Sequence, residues 1–233
     1  HYYKELQQYA LAIGYYEKAI VLIPSHLETI RALADLYQAG EHFGKLATLL
    51  ELEAKFAPDA GQYVAALVRC AGVYDKSLKN QAKAVAVYEA ALTKAAENQE
   101  IITELDRLYR ALGEFEALSI FYNRHIRLVG DPHLKLALHL QAAQLGRQEL
   151  RNSLYAIAHY EAILGLQPEH LEALATLIDL YRLEQKWELL ARAYEKKIAL
   201  TQDQEEKKAL GYDLALLAQN QLKWPERAMV GFQ

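Results

Sequence analysis

The stretch Tyr16-Glu17-Lys18-Ala19-Ile20 returns as Tyr88-Glu89-Ala90-Ala91-Leu92 and again as Tyr160-Glu161-Ala162-Ile163-Leu164, each time after 72 residues. Working outward, the same step relates Tyr37, Tyr109 and Tyr181, and the aromatics Phe43, Phe115 and Trp187. It relates Leu6, Leu78, Leu150 and Leu222, the alanines at 12, 84, 156 and 228, and the acids Asp59, Asp131 and Asp203. No insertion or deletion interrupts the register. A fixed period over a whole chain means copies of one supersecondary unit, so the fold is read from the unit first.

Each unit splits into a shorter and a longer helical hairpin. In Ile30-Arg31-Ala32-Leu33-Ala34-Asp35-Leu36-Tyr37 the apolar residues 30, 33, 36 and 37 fall on one helical face. The sets Ile102, Leu105, Leu108, Tyr109 and Leu174, Leu177, Leu180, Tyr181 repeat it. This places hairpins at 27–61, 62–98, 99–133, 134–170 and 171–205, with partial ones at 1–26 and 206–233. The longer hairpins begin near Gln62, Leu134 and Glu206, and carry extra residues in their first helix. Ser25-His26-Leu27-Glu28 has the spacing of a capping box. Pro24, Pro58, Pro132 and Pro168 fall between hairpins, and Pro225 starts a second helix, where its missing N–H is harmless.

Pro (5) and Gly (11) are scarce among 233 residues, which predicts helix almost throughout. The net charge of −4 argues against nucleic-acid binding, since phosphate neutralisation needs a basic excess. Lys76, Lys79 and Lys83 read as a solvated helix face. Cys70 is the only cysteine, so no disulfide framework forms within the chain, and its Ala- and Val-rich setting predicts a buried thiol. No apolar run reaches the ~18 residues that span a bilayer, so no direct membrane insertion by this segment is expected. The chain opens at His1-Tyr2-Tyr3 without an initiator Met and closes at Gly231-Phe232-Gln233 within a helical pattern, so a longer parent protein is expected. Neither end (Tyr2, Tyr3, Tyr9 and Ile13, or Met229, Val230 and Phe232) reads as a polar cap.

The pattern resembles the tetratricopeptide repeat. Leu105, Tyr109, Gly113, Phe115 and Tyr122 match it in one short hairpin; Ala156, Tyr160 and Pro168, or Ala12, Tyr16, Ala19 and Pro24, match its second half in long ones. Alternating hairpin lengths are similar to long bacterial arrays of that family. The resemblance implies an all-α fold, a right-handed α-solenoid of antiparallel hairpins forming one superhelical domain over 1–233. The sequence departs from the family at Leu46, Leu118 and Leu190, and at Glu53, His125 and Lys197, where small alanines are usual. Looser or re-angled packing is expected there.

The resemblance further implies a non-catalytic scaffold that binds a peptide or partner protein in a groove lined by first helices. Its groove positions fall on Arg31, Asp35 and Gln38, on Arg107 and Arg110, and on Asp179 and Arg182; Glu28, Thr103, Glu100, Glu172 and Ala175 share the face. The repeated acid at 28, 100 and 172 also suits a helix N-terminus. The set lacks the Lys/Asn pattern of chaperone-binding members, so no carboxylate clamp is expected. The alternative is self-assembly through the end hairpins. No phosphate loop, nucleophile elbow or paired-His metal motif is present, and no cofactor or metal is expected; His133 and His139 point apart on one helix. Tyr16, Tyr88, Tyr160 and Tyr37, Tyr109, Tyr181 are read as core, with Tyr3, Tyr63, Tyr155 and Tyr212 as candidate contact residues.

Overall fold

The computed structural model describes residues 2–222, with side chains from Gln8 to Gln221. Those residues are helical with no strand among them, which is the all-α solenoid class. Two compact units divide after Glu114. The first holds α1 (Tyr2–Leu22), α2 (Leu27–Ala39), α3 (Phe43–Lys55), α4 (Ala60–Gly72), α5 (Gln81–Leu92) and α6 (Gln99–Leu112). The second holds α7 (Phe115–Leu128), α8 (Pro132–Gln148), α9 (Ser153–Leu166), α10 (Leu171–Leu183), α11 (Trp187–Leu200) and α12 (Gln204–Leu217). Within each unit a helix packs mainly on its neighbours in the chain. Such a core grows by stacking and has no single centre.

The extra length of the long hairpins takes a specific form. α4 runs into a π-helical turn, Val73–Ser77, and α12 into another, Ala218–Leu222. The five-residue bonds Leu78 N–H to Val73 O (3.0 Å) and Leu150 N–H to Leu145 O (3.1 Å) recur one period apart. Turn geometry keeps the same period. Positive φ occurs at Glu41 (56°), Gly113 (70°) and Gln185 (54°), and at Lys79 (53°) and Arg151 (48°). Only one of the five is glycine, so the others hold a conformation that costs an L-residue about 1 kcal/mol.

The caps repeat as well. Asp59, Asp131 and Asp203 accept backbone N–H bonds at the starts of α4, α8 and α12, which therefore begin two residues before 62, 134 and 206. Asn80 and Asn152 cap α5 and α9, and His26, Asn98 and His170 cap α2, α6 and α10. The box expected at Ser25 is replaced: the cap is His26, whose Nδ1 takes the Thr29 N–H at 3.3 Å. The imidazole nitrogen serves the Thr29 N–H, one residue beyond the Glu28 N–H that a Ser25 box would have served, because the helix starts one residue later.

A tyrosine–glutamate clasp explains the Tyr-Glu signature. Tyr37, Tyr109 and Tyr181 donate to Glu17, Glu89 and Glu161 at 2.6, 3.1 and 2.7 Å, tying a first helix to the preceding second helix. Burial, then the carboxylate, pushes the hydroxyls of Tyr37 and Tyr181 well up. Tyr88 and Tyr160 are buried, but Tyr16 is 36% exposed, because among the described residues no first helix covers α1 as α4 and α8 cover α5 and α9. Leu46, Leu118 and Leu190 are at most 2% exposed, so bulk fills the space that alanine leaves elsewhere in the repeat.

Two contacts at the α8–α9 crossing were invisible in the sequence. A Cβ on Gly146 would lie 2.8 Å from Tyr155 Cδ1 and 3.1 Å from the Ala156 nitrogen. Nearby, His139 of α8 and His159 of α9 share a hydrogen bond, Nδ1 to Nδ1, at 2.9 Å, with the Tyr155 ring against His159. Burial, then the neighbouring His139, pulls His159 down to about 4; burial, then Lys135, lowers His139. A lowered folded value means that the unfolded chain binds more protons below its own value near 6.5. Stability contributed by the pair is thus full above about pH 6.5 and falls as pH drops towards 4, by up to about 3 kcal/mol for His159. Urea midpoints measured against pH should show that loss, and His159→Phe should flatten it; an unchanged profile would remove the pair as its source.

Candidate interaction surface

The groove positions read from the sequence lie in both units, and each unit anchors its arginines on acids. In the first, Glu53 of α3 is 6% exposed and sits between two arginines. Arg31 of α2 donates through Nε to Glu53 Oε1 at 2.7 Å and through Nη2 to Gln62 Oε1 at 2.6 Å. Arg69 of α4 donates from Nη1 to Glu53 Oε2 at 3.5 Å, and its Nη2 lies 4.0 Å from Asp35. Gln62 also donates to the cap Asp59 at 3.0 Å, so α2, α3 and α4 share one polar network. The buried carboxylate has a partner on each oxygen, which such burial requires. Asp35 is 81% exposed and Gln38 is exposed, so both remain on the surface.

A second anchor follows in the same unit. Arg107 of α6 donates to the buried Asp75 in the π-helical turn at 2.5 Å and to Glu104 at 2.8 Å. Those acids, Glu104 first, push the guanidinium's basicity up further. A trough of about 580 Å³ opens here, lined by Asp75, Lys76, Lys79, Gln81, Glu104 and Arg107. Arg110 is held through Nε by both Asp106 oxygens, at 3.0 and 2.9 Å. In the second unit Arg182 of α10 donates to the Tyr194 hydroxyl of α11 and lies 3.9 Å from Asp213 of α12 and 4.0 Å from Asp179. Asp179 itself is 74% exposed.

The seven residues therefore divide by role. Arg31, Arg107, Arg110 and Arg182 are held in place by neighbouring acids or a tyrosine, while Asp35, Gln38 and Asp179 are open. Sequence reading missed the anchors Glu53, Asp75 and Tyr194, and it missed Arg69. One signal was present: an acid in the apolar run Leu49-Leu50-Glu51-Leu52-Glu53-Ala54, where its repeat counterparts are His125 and Lys197. Tyr155 packs within the α8–α9 crossing and is half-buried, so it is not an open contact residue; Tyr212 is exposed.

Other chemistry is sparse. Cys70 is fully buried, its thiol 3.5 Å from the Ala47 carbonyl and pushed up to about 12 chiefly by burial, so it stays protonated. Among the described residues no group of three or more His, Cys, Asp or Glu converges as metal ligands, and no helix is long and apolar enough to cross a membrane.

No family model and no curated protein matches the chain. Solved structures do match its fold. A chain in the structure of Naa15/Naa10 bound to HypK-THB aligns with a TM-score of 0.53 at 16% identity, over 98% of this chain and 34% of that one. The present chain thus spans about a third of that protein's length. The C-terminal part of a TPR repeat-containing protein from Cytophaga hutchinsonii aligns at 14% identity, over 98% and 96% of the two chains, with a TM-score of 0.45. YrrB, a TPR protein, aligns at 16% identity over 82% and 94%, with a TM-score of 0.41. At such identities likeness concerns the fold alone, and here it meets a sequence whose period, caps and Tyr–Glu clasps repeat hairpin by hairpin. The chain is a tetratricopeptide-like array of helical hairpins.

Proposed function

We propose that the chain is a non-catalytic scaffold that holds a peptide or protein partner against its first-helix faces. The contacts fall around Arg31, Asp35 and Gln38, Arg107 and Arg110, and Asp179 and Arg182. The observation that carries this reading is the set of half-exposed guanidiniums held by neighbouring acids or a tyrosine, with Arg107 beside the trough at Asp75. Arginines held in one geometry lose little freedom when a partner arrives, and they are favoured at interfaces. Because each guanidinium already faces a carboxylate, this surface offers directed hydrogen bonds and little net positive charge, which suits a mixed-charge peptide and not a phosphate backbone. Likeness to a protein that occurs in a complex with other proteins agrees with a protein partner.

The test is photo-crosslinking in extract of the native source, with the crosslinker placed at Gln38, at Asp179 or at the exposed Arg192 of α11. One heterologous protein is expected from positions 38 and 179 and not from 192. Crosslinks only to further copies of this chain would replace the scaffold by self-assembly, and no crosslink from 38 or 179 would remove the groove.

A further inference from the structure

On the second-helix side of the first unit an open furrow of about 660 Å³ runs between α1 and α3. Its floor is Leu33, Tyr37 and Leu49; Ile20 and Val21 form one wall and Leu52 the other. Val21 is 80% exposed, so apolar surface faces water. The furrow exists because of three residues along one ridge of α3: Gly44, Thr48 and Leu52. Gly44 has nothing within 4 Å of the place its Cβ would take. One period on, α7 carries Glu116, Ile120 and Arg124 on the same ridge, and two periods on α11 carries Glu188, Arg192 and Lys196, the charged face that a solvated helix normally shows. Between α3 and α11 burial is matched position for position: exposed, exposed and half-buried. At Gly44 and Leu52, the two ends of the ridge, the first unit thus lacks the charge that both later copies carry. Apolar surface gathered in one place and rimmed by polar groups marks an interaction site.

The rim identifies the chemistry of what fits. Glu17 already accepts from the Tyr37 hydroxyl at 2.6 Å and from Lys45 at 2.7 Å, and Glu51 accepts from Tyr74 at 2.9 Å. Each carboxylate turns one oxygen to an internal donor. Lys45 is 62% exposed with two N–H donors beyond its Glu17 bond. Lys55 leans over the Phe56 ring, and among the described residues no carboxylate lies within ion-pair distance of it. The two ammonium groups offer donors at points that a helical rise of 1.5 Å per residue sets about 15 Å apart. A trough between two helices, apolar below and rich in donors at its edges, matches a third helix with an apolar stripe and acidic flanks.

We propose that the α1–α3 furrow is a second docking site, which takes an amphipathic helix of a protein partner with acidic residues beside its apolar stripe. The site is separate from the first-helix surface and does not depend on it. The test uses the full chain and a fluorescent, stapled amphipathic peptide of about 12 residues, with Leu on one face and Glu on its flanks, beside a twin with Lys flanks. The Glu-flanked peptide should bind saturably, and the Lys-flanked twin at least tenfold more weakly. Gly44→Glu/Thr48→Arg/Leu52→Lys installs the residues that α11 already tolerates, and should weaken the Glu-flanked peptide at least tenfold with an unchanged melting temperature. Asp35→Lys/Asp179→Lys, on the first-helix surface, should bind it as the unaltered chain does, which keeps the two sites distinguishable. No saturable binding, or equal binding by the triple variant, overturns the furrow; equal binding of both peptides overturns its acidic partner. A dimer in sedimentation that the triple variant abolishes would assign the furrow to a second copy instead.

Discussion

Gly146→Val should destabilise the second unit by about 3 kcal/mol, the upper part of the usual range for overpacking a tight contact. Even a first added carbon would meet Tyr155 Cδ1 at 2.8 Å and the Ala156 backbone at 3.1 and 3.3 Å. The ring can rotate away, but the backbone of α9 cannot do so without opening its packing on α8. The internal repeat explains why glycine stands here. One period earlier the position is Tyr74, and the residue facing it is Lys83, whose ammonium lies 5.1 Å from the Tyr74 ring centre. In the α8–α9 hairpin the aromatic has moved to the second helix as Tyr155, and the first helix has given up its side chain. Ring and space are exchanged between partners one period apart. Adding Tyr155→Ala to Gly146→Val should therefore recover part of the loss, leaving the clash with Ala156. Fully additive losses, from urea unfolding of the four variants of the cycle, would show that the two residues do not share the space.

Removing both arginines from Glu53 is the second large effect. Arg31→Met/Arg69→Met should cost the first unit about 3 kcal/mol, because a buried carboxylate is left without its cations. The lower end of the range applies, since the arginines are 45 and 48% exposed and partly screened. A third change, Glu53→Leu, should restore stability to within about 1 kcal/mol of the starting protein, as apolar replacement of a whole buried network commonly does. Failure of Glu53→Leu to rescue would mean that the arginines act through Gln62 and Asp35, and not through the buried acid. This also separates folding from recognition: charge reversal at Arg31 or Arg107 disturbs both, whereas Gln38 is exposed and Asp35 and Asp179 make only long, exposed arginine contacts at 4.0 Å, worth under about 1 kcal/mol each.

The comparison of residues with structure shows where the sequence was legible. Helix starts at Leu27, Phe43, Gln99, Phe115, Leu171 and Trp187 could be placed because periodicity, proline and an opening aromatic act locally and repeat. The capping Asp59, Asp131 and Asp203 were visible as a series, but their role was not, because a cap is defined by backbone angles. His139 and His159 are twenty residues apart and meet only after α8 and α9 cross, so no spacing rule could pair them. Glu53 stood out as a departure from the family's small alanine, but its arginine partners, like those of Asp75, could not be paired for the same reason. The burial of both acids is set by Arg31, Arg69 and Arg107 from other helices. Departures from the repeat proved as informative as matches to it: Gly44-Thr48-Leu52 against Glu188-Arg192-Lys196, and Tyr74-Lys83 against Gly146-Tyr155.

The most direct test of the scaffold reading is the affinity of the partner captured from positions 38 and 179, measured by calorimetry against the intact chain and Asp35→Lys/Asp179→Lys. Binding at least tenfold weaker is expected for the variant, about 1.4 kcal/mol or more, with both proteins fully folded at the temperature of the measurement. Equal affinity for both proteins would contradict it and place recognition away from the first-helix faces.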